Sequence, residues 1–386
     1  MSTLLALVGV ASVASLFFVV IPGVGATTVR RAWRQFRASV ESASLLPTLR
    51  LGEGVTDGSY RFFGTLEAIQ GADLLWLTDG RLTVGAHLAG VRVFLLSSLD
   101  GDGEPQLLPW RRVYSLPAGT KVFVAGRLRG EQGRRIFRGE SGQPLVVLIY
   151  AGDEGALMTR AIESGRGRNE YWNQFTVMSL VTGAFLLAVL ALVMLGEPQL
   201  RVPAILAMAV AAAPVAHLLP PGVAAYLVYR TLWRRARRLR VERDLARLPL
   251  RYFPREQLLR RGDASPVRLQ GRLPDGEAYL MAPLDQVEVE GDPRPLLVSQ
   301  LLQPSSLRDR DTYLFGTPHP EGAAVTLRHP ADPLAELVVV SGHPIELSAL
   351  AVARARVAAL LAGASIAAAL SVNVLGLLLL LSLAVR

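Results

Sequence analysis

The 386-residue chain contains no cysteine, which removes disulfides, thiolate nucleophiles and zinc-thiolate sites together. It also lacks the usual catalytic signatures. No Gly-x-x-x-x-Gly-Lys-Ser/Thr, Gly-x-Ser-x-Gly or His-Glu-x-x-His pattern occurs, so phosphate cradling, nucleophile-elbow hydrolysis and zinc proteolysis are without their residues. The histidines, His87, His217, His319, His329 and His343, are dispersed, and no two stand at the helical spacing of a metal site. Asp100-Gly101-Asp102-Gly103-Glu104 opens like a calcium loop, but the twelfth position, which should be a bidentate Glu, is Arg111. That stretch reads as a hairpin turn. The expectation is a protein that is not an enzyme and holds no cofactor and no metal.

Charge is missing in another sense. Four blocks, about Leu4 to Val29, Phe175 to Leu195, Val202 to Tyr229 and Val357 to Val385, contain no Asp, Glu, Lys or Arg. About 20 apolar residues cross the hydrocarbon core at roughly 1.5 Å each, so every block is long enough to span. Of 41 Lys and Arg, all but Arg201 and Arg386 lie within 30–168 and 230–356. Those beside the blocks fall on one side, and the positive-inside bias makes both large loops cytoplasmic and both termini external. The first block carries its arginines after it, as a retained anchor does and a secretory signal does not. The chain therefore reads as a multipass protein of the inner (plasma) membrane. A net charge of +9 is explained by arginine beside anionic headgroups, and nucleic acid is not an expected partner.

The sequence also repeats itself. Pro22-Gly23-Val24 followed by Trp33, Arg34 and Arg37 returns as Pro221-Gly222-Val223 followed by Trp233, Arg234 and Arg237. Arg61 and Gly64 align with Arg268 and Gly271, and Gly126 and Gly152 with Gly316 and Gly342. A tandem duplication is the simplest cause. Each repeat reads as membrane helix, basic helix, β domain, membrane helix. The boundaries are 1–45 for the first membrane helix with its basic extension, 46–151 for the first β domain and 152–195 for a connecting helix and second membrane helix. The second set is 202–247, 248–341 and 342–386. Pro22-Gly23 is expected either to break the first helix or to kink a single long one.

Within each β domain, short runs such as Tyr60 to Ile69, Lys121 to Leu128 and Leu145 to Tyr150 alternate with turn signals such as Asp79-Gly80 and Pro117-Ala118-Gly119. Val267 to Leu273, Thr312 to Gly316 and Glu336 to Val340 are counterparts in the second domain. The predicted fold class is four transmembrane helices plus two all-β domains, each a small barrel or sandwich. The stretch Gly119 to Gly126, and the strand-glycine-helix exit from Ile149 to Leu157, resemble the beside-a-membrane β domain of a family of mitochondrial membrane-bound ubiquitin ligases. That resemblance implies a membrane-tethered β fold and a protein-binding role. It implies no ligase residues, because that activity needs a cysteine-rich RING.

The candidate residues follow from this plan. Arg30, Arg31, Trp33, Arg34, Arg37, Arg230, Trp233, Arg234, Arg235 and Arg237 are expected at the headgroup layer, where aromatic and basic side chains partition. His217 and Asn373 are the polar residues most costly to place in hydrocarbon, so each should hydrogen-bond between helices or serve a proton or solute site. Membrane lipids and a protein partner, or a second copy of the chain, are the expected partners. The leading expectation is a scaffold or assembly protein, and the alternative is a small transporter or channel subunit.

Overall fold

A computed structural model describes residues 2–50, 57–96, 106–113, 115–131, 133–140, 142–155, 157–167, 171–216, 222–259, 268–295, 312–319 and 325–384. The chain divides into two compact units. One comprises Met1–Arg34, Gly167–Arg240 and Val352–Arg386, and the other Gln35–Arg166 and Val241–Ala351.

The helices in chain order are α1 (Ser2–Ser15), α2 (Ile21–Ala43), α3 (Leu157–Gly167), α4 (Thr176–Leu195), α5 (Arg201–Ala211), α6 (Ala213–Ala216), α7 (Gly222–Arg247), α8 (Arg255–Leu259) and α9 (Pro344–Ala384). A π turn, Leu16–Val20, joins α1 to α2, so the helix runs unbroken past Pro22 and Gly23. The disturbance falls one turn earlier than the proline, because its ring crowds the preceding turn and it offers no N–H. Pro214 acts in the same way where α5 gives way to α6.

Four helical stretches are long and apolar enough to cross a membrane: Thr3–Ala43, Thr176–Leu195, Pro198–Val215 and Pro344–Leu383. Their outer faces carry Met178, Phe185 and Val193 on α4, and Leu360, Leu379 and Leu380 on α9, each 66% to 74% exposed. Apolar surface of this kind is unfavourable in water and ordinary against lipid. Inside the first unit, α1, α4 and α5 meet on Val10, Leu187, Ala191, Met194, Ala204 and Ala207.

Small residues decide how closely these helices approach. A Cβ on Gly183 of α4 would lie 2.5 Å from the Cβ of Phe17, whereas one on Gly363 of α9 would meet nothing within 4 Å. Gly183→Ala is therefore expected to lower stability by about 1–3 kcal/mol through overpacking. Gly363→Ala should be neutral or raise stability by up to about 1 kcal/mol through helix propensity. Thermal unfolding in detergent checks both, and equal effects would contradict the packing of Phe17 on α4.

In the second unit the first sheet contains β1 (Gly58–Gln70), β2 (Leu74–Thr78), β3 (Thr83–His87), β4 (Arg92–Leu95), β5 (Gln106–Pro109), β6 (Lys121–Glu131), β7 (Arg134–Arg138) and β8 (Val146–Tyr150). The path β1-β2-β3-β7-β6 is closed into a ring by β1–β6 pairing, and β8, β4 and β5 continue from β6. Phe62, Leu75, Val84, Val124 and Phe137 fill its core. β3 went unread in the sequence because Gly85 and Ala86 have little strand propensity. Gly85 is there for room: a Cβ would lie 3.2 Å from Ile136 and 3.4 Å from the ring of Trp76.

The second sheet contains β9 (Leu269–Arg272), β10 (Ala278–Pro283), β11 (Glu288–Val289), β12 (Arg294–Pro295), β13 (Thr312–His319), β14 (Thr326–Arg328) and β15 (Val338–Ser341). Its path runs β11-β14-β13-β10-β9, with β15 on β13 and β12 on β15. Four pairings recur between the sheets. β6 is antiparallel to β7 and β8, and β13 to β14 and β15. β3 and β4 run parallel to β7 and β8, as β11 and β12 do to β14 and β15.

Two central glycines have matching surroundings. A Cβ on Gly126 would lie 2.7 Å from Leu145 and 3.3 Å from the carbonyl of Arg138, and one on Gly316 would lie 2.7 Å from Leu337 and 3.0 Å from the carbonyl of Arg328. The sequence alignment of Arg61 with Arg268 does not survive the register. Arg61 stands opposite Ala125 on β6, while the residue opposite Phe315 on β13 is Met281. Gly271 lies on β9, which pairs with β10.

Candidate functional site

The most costly side chain to bury in the second unit is Arg61. β1 points it inward, and it is 0% exposed. Its Nη2 donates to Asp332 Oδ2 at 2.6 Å, its Nη1 to the carbonyl of Ser44 at 2.9 Å and its Nε to Thr48 Oγ1 at 3.1 Å. Asp332, just after β14, accepts a second bond from the Leu334 N–H at 2.9 Å. Asp275, in the β9–β10 turn, accepts from the Thr48 N–H at 2.9 Å and from Arg50 Nη2 at 3.2 Å. Residues from the end of α2, from β1 and from two loops of the second sheet thus form one charged seam. A buried ion pair adds little net stability over an apolar equivalent, but loss of one partner strands the other charge. Nothing local in the sequence marks this pair, whose members are separated by 271 positions.

Beside the seam, two phenols pack edge to face, Tyr252 and Tyr279, with ring centroids 5.5 Å apart. Burial pushes both hydroxyls above the usual tyrosine range, Tyr279 furthest. They remain neutral donors at physiological pH, and Tyr279 Oη donates to the carbonyl of Glu336 at 2.8 Å.

A cleft of about 530 Å³ opens next to them, lined by Arg251, Tyr252, Phe253, Gln257, Gln270 and Arg272 among others. Arg251 donates through Nη2 to the carbonyl of Leu334 at 2.7 Å and to the Tyr252 hydroxyl, and its guanidinium lies 4.5 Å from the Tyr252 ring centre. Its Nε and Nη1 are buried without an acceptor among the described residues. No carboxylate lines the cleft among the described residues.

In the first unit, polar groups gather where the π turn and the start of α2 meet the start of α4. Pro22 has no N–H to offer the carbonyls four and five residues back, those of Phe18 and Phe17. The first accepts from Tyr171 Oη at 2.8 Å and the second from Ser179 Oγ at 2.6 Å. Asn173 Nδ2 donates to the carbonyl of Pro22 at 3.2 Å, and its Oδ1 accepts from the Phe175 N–H at 2.9 Å. Gly25 makes room, since a Cβ there would lie 2.3 Å from Asn173 Oδ1. Tyr171, Asn173 and Ser179 thus act as replacement donors.

Of the residues expected at the headgroup layer, Arg30, Arg31, Arg34, Arg230, Arg234 and Arg235 are exposed. Trp233 and Arg237 are half-buried, with the guanidinium groups of Arg237 and Arg240 at 5.8 and 5.9 Å from the indole. Trp33 and Arg37 are 3% and 9% exposed. Asn373 is 6% exposed on α9. His217 and the Asp100–Glu104 stretch lie outside the described residues.

The chain matches no protein-family model, and neither curated proteins nor solved structures yield a match.

Proposed function

We propose that the protein is a multipass inner-membrane scaffold or assembly protein that presents two duplicated β domains on the cytoplasmic side of the bilayer to other proteins. The observation that carries this reading is the seam from Arg61 to Asp332, which ties the two sheets together within one compact unit. The four recurrent pairings and the matched settings of Gly126 and Gly316 support the duplication. Arginine clustered beside the membrane helices supports the cytoplasmic placement. The likeness to beside-a-membrane domains adds a tethered β fold and protein binding, with no catalytic residues.

Crosslinking in native membranes followed by purification through an affinity tag tests the reading. A specific protein partner should be recovered in constant ratio with the wild-type chain and with Asn373→Leu, and lost with Arg61→Ala. Recovery no greater than from an untagged strain would sink it. The transporter alternative draws on Asn373, a buried polar residue within a candidate span. Solute flux in proteoliposomes that falls with Asn373→Leu or His217→Leu would favour that reading instead.

A further inference from the structure

We infer that the outer edge of β9, unpaired among the described residues, and the cleft beside it take an extended, acidic segment of another polypeptide. This rests on the scaffold reading and names the chemistry of its partner. Among the described residues, β9 pairs only with β10. The Leu273 N–H donates to the carbonyl of Glu277 at 2.8 Å at the hairpin end. Bonded and non-bonded positions alternate along an antiparallel pair, so Leu273, Gly271 and Leu269 turn their amides toward β10 and Gln270 and Arg272 turn theirs away. No backbone bond reaches Gln270 or Arg272 from that outer side among the described residues. An unpaired edge of this kind is a template for strand addition.

Charge selects what can be added. The cleft against this edge holds Arg251 and Arg272, and neither has a carboxylate partner among the described residues. Arg251 places a half-buried guanidinium in the cleft wall, with two nitrogens that have no acceptor among the described residues. Arg272 is exposed and able to bind a carboxylate directly. The side-chain amides of Gln257 and Gln270 add donors and acceptors at the rim, and Leu45, Phe253 and Pro254 offer apolar surface to alternate side chains. A lipid headgroup would answer the arginines but would leave the edge amides unpaired. A peptide of alternating carboxylate and apolar residues answers both.

Fluorescence anisotropy on the full chain in nanodiscs of neutral lipid tests the inference, with a labelled peptide of alternating Glu and Val as probe. The same peptide with Gln for Glu should bind about tenfold more weakly, and Arg272→Glu should reduce affinity for the Glu peptide by about tenfold or more. N-methylation of alternate peptide amides should abolish binding in one of the two phases of methylation. Arg272→Gln, which keeps the bulk and removes the charge, guards against misfolding and should also weaken binding. Equal affinity for the Glu and Gln peptides, or indifference to both Arg272 variants, would overturn the site. Indifference to N-methylation in both phases would overturn strand addition. Binding of anionic-lipid vesicles that depends on Arg272, without peptide binding, would assign the site to headgroups and overturn it too. Failure here leaves partner recovery untouched, whereas loss of partner recovery with the peptide still bound would remove the scaffold reading alone.

Discussion

Arg61→Ala should destabilise the β-rich unit by about 3–5 kcal/mol, the usual cost of leaving one member of a buried ion pair uncompensated. The wild-type guanidinium uses all three nitrogens, on Asp332, Ser44 and Thr48. Removing it strands a carboxylate that is 2% exposed and, among the described residues, keeps only the bond from the Leu334 amide. The double variant Arg61→Met/Asp332→Leu should recover most of the loss, because matched apolar groups replace a buried pair at little cost. Met is an apt replacement, since Met281 stands in the corresponding register position of the second sheet. Chemical denaturation in detergent reads both variants alongside the single variants Arg61→Met and Asp332→Leu. Additive losses in the double variant would mean that the two charges do not meet.

The second large effect belongs to the membrane unit. Ser179→Ala combined with Tyr171→Phe should cost about 2–3 kcal/mol, at the upper end for side-chain hydrogen bonds between membrane helices. Ser179 is 4% exposed and contributes more, whereas Tyr171 is 38% exposed and contributes less. Their acceptors are the carbonyls of Phe17 and Phe18, which Pro22 cannot serve. In a Pro22→Ala background the new amide can serve one of the two carbonyls, and the same pair of substitutions should then cost about 1 kcal/mol less. An undiminished cost in that background would show that the proline is not why these donors are needed.

Sequence made the membrane architecture legible, because an uncharged apolar run of about 20 residues matches the hydrocarbon thickness when helical. The longer strands were legible through alternation and flanking turns, and β1, β6 and β8 lie where that pattern put them. β5 and β12 were missed: β5 is four residues long, and β12 is two and pairs only with β15 among the described residues. Of the two readings of Pro22, a break or a single long helix, the helix is continuous, since a π turn and donors from elsewhere absorb the defect. The seam was illegible on different physical grounds. Arg61 looked like a repeat marker matched to Arg268, whereas the fold brings it to Asp332, 271 positions away. The cleft arginines carry no spacing signal either, because Arg251 and Arg272 come from separate segments.

Absence of native cysteine allows the central claim, that both sheets form one body, to be tested without background. Thr48→Cys/Asp275→Cys, replacing residues whose amide and carboxylate lie 2.9 Å apart, should form an intramolecular crosslink in native membranes under mild oxidation or with a short bis-thiol reagent. The product should appear as a reducible shift of the monomer band and should fall sharply with Arg61→Ala. Absence of that crosslink, with both thiols shown to be reactive, would contradict the account.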